Sequence, residues 1–569
     1  MRKPFPSLHV RRLGTLALSL ALVGACTTAP QGIDLAARAP VLDGYGGATL
    51  QPSQGNAEAR RLFAQGVAQA YAFDDQEAIR AFKAATARDP GCALCAWGVA
   101  WQMGPNINNT RRGDLGEARR YLALAQRNAR GASARDRALI DALALRYGAA
   151  GGGQGLPGAQ VCRSGTGGGE PVDPLDIAYA ARMRELVAAY PQDPDLVTLY
   201  AEAELVATER GWWNPETGKP SGRVGEVADL VEAALARAPE HTGLNHYMIH
   251  AVDAVPVAAR AVPAADRLGR LAPKSPHLLH MPSHTYAQVG RYADATRVNA
   301  LALEADDALT ADLKRQGFAP LSDWRGHNGH FKWYGALMEG RAALALETAR
   351  ASAGRAKGDS DYAEYLRSLP MLTLLHLGRW QALLAEPMPA GERGMAAVLG
   401  GAARGIAMAR TGDLAGARAL LARVEPKADA LLATYTGNGY GARIQRSLVA
   451  SAARELAAEV AFTEGRVEAA LALQAQAVEA GVDADRTEPP TLASAPRLRL
   501  GEMQLRARRF PEAERSFRAD LALHPLNGWA LQGLGKALAA QGKEGDARAA
   551  QRQLAASWAQ AEAAVRGAP

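Results

Sequence analysis

Aromatic residues make up only 6% of this 569-residue chain, and Val/Ile runs that would read as strands are scarce. That argues against a β-rich fold, which draws on β-branched and aromatic side chains. Beyond the N-terminus no apolar run approaches about 18 residues, so no internal membrane-spanning helix is expected. Cysteine is rare too, four in all. The single C-x-x-C, Cys92 with Cys95, has no second pair to complete a four-thiolate zinc site. It is left as a redox pair, a disulfide, half a metal site or plain packing at a helix start. The Gly-rich stretch 148–172 lacks G-x-x-x-x-G-K-[ST], which excludes a P-loop. G-x-S-x-G and H-E-x-x-H are absent. The net charge of +7 comes from scattered arginines rather than a basic block, so nucleic acid is not an expected partner.

What is present begins at the N-terminus. Arg2, Lys3, Arg11 and Arg12 precede the apolar run 13–23, and Val23-Gly24-Ala25-Cys26 follows. A positive n-region, a short apolar core and small residues read as a signal peptide. The cysteine directly after the small residues resembles a lipobox. That resemblance implies lipidation of Cys26 and a membrane anchor. With Thr27 next, rather than Asp, it implies an outer-membrane lipoprotein facing the periplasm.

The rest of the chain is repetitive. Leu62, Gly66, Ala78, Phe82, Ala85 and Pro90 have the spacing of a 34-residue helical hairpin. Small residues let antiparallel helices approach, an aromatic fills the groove, and proline ends the second helix. Gly501, Phe510, Ala513, Phe517 and Pro525 repeat the pattern, and Leu531, Leu534, Gly535, Gly542 and Ala547 continue it. Both ends resemble the tetratricopeptide family, which implies an all-α, right-handed α-solenoid. The middle can be indexed from Pro239, Pro273, Gly290, Gly340 and Gly378. This gives a leader (1–26), a Pro/Gly/Gln-rich tether (27–56), N-terminal hairpins (57–147) and a Gly-rich loop (148–172). A histidine-rich core (173–385) and C-terminal repeats (386–569) follow, the last expected to be a partner-binding or stabilising arm.

Eight of the eleven histidines lie between residues 241 and 330, where even scatter would place about two. His246 and His250 sit four apart, as do His280 and His284. His277 precedes His280 by three, and His327 precedes His330 by three. Residues three and four apart share one helical stripe. Imidazoles at i,i+4 are a recurrent pair for zinc and related metals. Packed helices stand about 8–10 Å apart, so imidazoles from two neighbouring helices can reach a common centre, and the tetratricopeptide resemblance implies that three adjacent helices aim theirs into one groove. These seven histidines and Asp253 are the candidate ligands for a divalent zinc, copper or iron ion. Glu202, Glu204 and Glu339 are further carboxylates. Asn245, Tyr247, Tyr286, Asn328 and Tyr334 are candidate orienting groups. Trp97, Trp101, Asn106 and Asn108 either line a pocket or, for the tryptophans, pack the core.

Other readings of the column are a pH-sensitive peptide groove and a buried polar network that fixes hairpin register. Pro282 should kink its helix or start it late; a late start would leave His277 and His280 in a loop. Ser283, between two histidines, makes a hydrolase only with an oxyanion hole that sequence does not show. The motifs N-H-x-x-I-H, H-M-P-S-H and H-N-x-H-F resemble a bacterial tetratricopeptide family that carries all three. The likeness extends upstream to Cys92–Gly98 and Gly104–Asn108. It supports a site at these residues without naming a reaction. Two functions follow as expectations: a metal- or ligand-binding protein, with catalysis as a further step, or a scaffold that holds a peptide or protein partner in the cell envelope.

Overall fold

The computed structural model describes residues 33–108, 115–148, 172–209, 211–391, 393–491 and 495–566. Over these residues the chain is an all-α solenoid of successive antiparallel helical hairpins. The described residues hold one isolated β-bridge, Trp213 with Pro220. Among them no helix is long and apolar enough to cross a membrane.

One packing device recurs at both ends. Phe82, on helix Asp75–Arg88, lies between Gly66 of helix Ala57–Ala70 and Gly98 of helix Ala93–Gln102. Phe517, on helix Phe510–Leu523, lies between Gly501 and Gly533. A Cβ added at any of these four glycines would come within 3.0 Å of the ring. Each glycine is 16 residues from its phenylalanine. Dense interiors tolerate no extra atom there, so the spacing that marked the repeats is also what seats the aromatic. In the middle, Gly290 and Gly340 close their helices with φ of +78° and +77°, a conformation that favours glycine.

One expectation needs correction. The segment 27–56, read as a flexible tether, is described from residue 33 and is packed against the array. Tyr45 and Leu50 are buried. Tyr45 donates to Asp74 (3.2 Å), Thr49 donates to Asp195, and Ser53 donates to Asp136 through its hydroxyl (2.6 Å). The Gly47 N–H donates to Thr242 (2.9 Å). Side chains of the hairpins supply the partners that an extended backbone lacks, so a linker-like composition becomes a strap. The C-terminal repeats pack on the middle of the chain. Trp529 and Trp558 donate to the carbonyls of Leu337 and Met338 (3.0 Å each), and Tyr292 donates to that of Pro525 (2.9 Å). The array turns back on its own middle.

Cys92 and Cys95 form a disulfide at the start of helix Ala93–Gln102. Cys26, Cys162 and residues 149–171 lie outside the described residues. One apolar core runs from Tyr45 to Trp324 and a second from Tyr292 to Ala484. Of the histidine-bearing segments, 242–251 and 276–288 belong to the first core and 325–338 mainly to the second.

Candidate metal centre

Helix Thr242–Ala251 is started by His241, whose Nδ1 accepts the Leu244 N–H (3.1 Å) while Nε2 donates to Asp195 (3.0 Å). His241 is therefore a cap. Ser275 caps the next segment by accepting the Leu278 N–H (3.2 Å), with Pro276 in its first turn. Pro282 then begins helix Pro282–Gln288 immediately after helix Pro276–His280, and Met281 between them keeps right-handed helical angles. The path is kinked rather than broken, because proline fits the first turn of a helix. His277, His280 and His284 thus stay on one stripe. Helix Arg325–Met338 carries His327.

The histidines meet in two triads. In the first, His246 Nε2 is 3.0 Å from His250 Nε2 and 3.2 Å from His277 Nε2. In the second, His280 Nε2 is 3.0 Å from His284 Nε2, and His327 offers a third nitrogen; the three ligand atoms lie within 4.8 Å of one another. With metal–nitrogen bonds of about 2.0–2.1 Å, neighbouring nitrogens of a tetrahedral site stand about 3.3 Å apart. Each triad wears an aromatic cover. Phe73 stands 4.4, 5.4 and 5.1 Å, centroid to centroid, from His246, His250 and His277. Phe331 stands 4.7, 4.6 and 5.1 Å from His280, His284 and His327. Trp324 closes the far side of His277 at 4.4 Å.

The other ring nitrogens fix the tautomers. His246 Nδ1 faces the Tyr71 carbonyl (2.6 Å). His280 Nδ1 faces the Asn299 amide oxygen (2.7 Å), and that amide is oriented by its own bond to the Ala295 carbonyl (2.8 Å). His284 Nδ1 faces Glu488 (2.8 Å) and Asp253 (3.4 Å). An oxygen acceptor at Nδ1 places the proton there and leaves Nε2 a lone pair. The Nε2 lone pairs of His280 and His284 therefore point at each other across 3.0 Å. A cation between them, proton or metal ion, would relieve that repulsion. Imidazole Nδ1–H held by a carbonyl or carboxylate is the usual outer support of a metal-bound histidine. The Nε2 atom of His327 is buried with no hydrogen-bond partner among the described residues.

Burial favours the neutral form of His246, His277, His280 and His327, the form that ligates metals. It pulls His246 down to about 3, and with neighbouring imidazoles it holds His277, His280 and His327 well below the usual histidine range. Burial, reinforced by Asp253, pushes Glu488 up to about 8. The second triad borders a cleft lined by Trp213, Asp253, His284, Tyr334, Arg443 and Glu488. The first borders a smaller acidic crevice with Asp74, Glu77 and Asp306 beside His277 and Trp324. The column is thus filled by rings rather than open as a groove.

Several expected site residues stand elsewhere. His330 is separate: its Nε2 meets the Tyr365 hydroxyl (2.8 Å) and its ring stacks on Trp333. Asp253 lies just past its helix and serves His284, not the first triad. Asn245 binds the Pro239 and His241 carbonyls and orders the hairpin. Asn328 donates to Asp306 (2.8 Å), and Tyr286 to Asp266 (2.8 Å). Tyr247 packs edge-on to Phe73 and bonds Glu202, which also accepts from Trp101 (3.3 Å). Glu339 and Glu204 are not in any triad. Trp97 stacks on Trp101 and donates to the Leu139 carbonyl, a core role. Asn106 donates to Asp75 and accepts the Asn108 N–H, within the N-terminal hairpins. Ser283 lies 3.4 Å from the Nδ1 side of His280, with no nucleophile geometry. Sequence reasoning missed Glu488, Asn299, Phe73 and Phe331. Phe331, four residues after His327, was legible from helical spacing. Glu488 lies in Thr487-Glu488-Pro489-Pro490, which carries no ligand signature.

Fold and site together define a tetratricopeptide-like α-solenoid with a buried histidine cluster whose side chains could hold a metal ion. No family model matches the chain, and no curated protein sequence is similar to it. Among solved structures the chain is similar to the human IFIT1 dimer with m7Gppp-AAAA, at 10% identity and a TM-score of 0.30, over 89% of this chain and 91% of that one. A likeness of that degree carries no functional argument.

Proposed function

We propose that this chain is an exported, lipid-anchored metalloprotein of the bacterial cell envelope, with a tetratricopeptide-like frame built around histidine-bound transition-metal ions. One observation carries the reading: Nε2 atoms of separate helical turns converge at 3.0–3.2 Å, and in the pair His280–His284 both Nδ1 atoms, like that of His246, face oxygen atoms. A register-fixing polar network would pair donors with acceptors and would not aim lone pairs at one another. The leader pattern ending at Cys26 supports the anchor, and placement at the outer membrane belongs to the same proposal. The three histidine motifs support membership of the bacterial tetratricopeptide family that carries them. The cleft beside His284 suits a small ligand that meets the metal, and catalysis there is the natural next question.

Elemental mass spectrometry of the purified chain tests this. Near-stoichiometric transition metal is expected. It should disappear from a His246→Ala/His280→Ala variant that keeps its helical circular-dichroism spectrum. A chain that stays metal-free after incubation with zinc, copper, iron and manganese salts returns the question to a partner-binding scaffold. That second reading rests on the tetratricopeptide-like fold, whose hairpin surfaces outside the filled column suit peptide or protein partners.

A further inference from the structure

The two triads raise the question of how many ions the column holds, and of which element. This inference rests on the metal reading above. Each triad is a closed group of three ligand atoms. They adjoin: His277 of the first and His280 of the second sit on one stripe with ring centroids 5.9 Å apart. Two ions held here would be neighbours.

The donors then select among metals. All six donors are imidazole nitrogens; Asp253 and Glu488 reach the column at the Nδ1 side of His284, not at a converging Nε2. The walls are the rings of Phe73, Trp324 and Phe331. Two divalent ions would bring four positive charges into this setting, and two cuprous ions would bring two. Buried charge is costly, and of the nearby carboxylates among the described residues only Asp253 and Glu488 touch a ligand histidine, so the lower charge is favoured. Imidazole suits copper, and in the divalent series copper binds nitrogen donors more tightly than zinc. Three nitrogens per ion satisfy copper(I) without water or a carboxylate. A pair of buried zinc sites would ordinarily recruit an anionic ligand.

We infer that the column is a two-copper centre, with one ion on His246, His250 and His277 and its neighbour on His280, His284 and His327.

The test is an anaerobic copper(I) titration of the metal-free full chain against a chromophoric chelator, with zinc(II) titrated in parallel. Two copper ions per chain are expected, with zinc unable to displace them at equal concentration. His250→Asn and His327→Asn should each retain one copper, with folding checked by circular dichroism. X-ray absorption of the parent covers the case in which a variant does not fold; it should show about three imidazole nitrogens per copper. After ferricyanide oxidation, two adjacent copper(II) ions interact, so the EPR signal should integrate to well under two spins per chain. One copper per chain, a full two-spin signal, or a preference for zinc at both positions overturns the inference and leaves the metal reading standing. Failure to bind any metal overturns both.

Discussion

Phe73 holds φ of +51°, a left-handed conformation that costs a bulky residue about 1–3 kcal/mol. The position is retained in that state while its ring covers all three imidazoles of the first triad. Truncating a buried phenylalanine costs about 3–5 kcal/mol. Phe73→Gly removes the ring but relaxes the backbone, so a net loss of about 2 kcal/mol is expected in urea unfolding of the metal-free chain. A more stable variant would show that the ring contributes nothing to the fold. At this scale the sequence is a partial guide. Five of the six triad histidines are marked by i,i+3 or i,i+4 partners within the triads. His327 has its helical partner in His330, which turns to Tyr365 instead. The two residues lie about 60° apart around a helix, on one stripe, so spacing alone cannot say which of them enters the column.

Among the elements, the strap departs most from its composition. Residues 33–56 read as linker because Gly, Pro and Gln neither repeat nor alternate. Their order comes from acceptors and pockets on distant hairpins: Asp74, Asp136, Asp195 and Thr242. Leu50→Ala discriminates the two descriptions. In a tether it would change stability by under about 0.5 kcal/mol, whereas the buried leucine of a strap should cost about 2–5 kcal/mol, read as a shift in denaturation midpoint. The hairpins were more legible, because Gly66, Phe82, Gly501 and Phe517 are local in sequence and the packing they mediate is repetitive. Pro282 was legible as a perturbation but not in outcome. Whether a proline interrupts a helix or starts the next one depends on the neighbours that hold the two halves in line.

The whole molecule buries histidines that the unfolded chain exposes. Unfolded histidines take up protons below about pH 6.5, but His246 and His330 in the folded chain resist until about 3. Between those values the unfolded state binds more protons, so stability falls as pH falls. Each such histidine contributes about 1.4 kcal/mol per pH unit to that slope. Asp75 works in the opposite sense. Burial holds it up to about 8, so its contribution is complete below about pH 4 and gone above about pH 8. A comparison of variants isolates the histidine effect. The metal-free His330→Phe chain should lose stability less steeply than the parent between pH 6.5 and 4, by about 1.4 kcal/mol per unit. Equal slopes would mean that His330 is already protonated in the folded state.

By itself the sequence determined the all-helical repeat frame and the clustering of imidazoles on neighbouring helices. Both follow from short-range periodicity: small and aromatic residues at hairpin spacing, and histidines three and four apart. The tertiary structure alone decided that the histidines divide into two triads, that His330 falls outside them, and that Glu488 arrives from about 200 residues away to bond His284. It also decided that the N-terminal strap and the C-terminal repeats return to pack on the array. These depend on contacts between distant segments, and no local pattern encodes which of two adjacent turns will face a given neighbour.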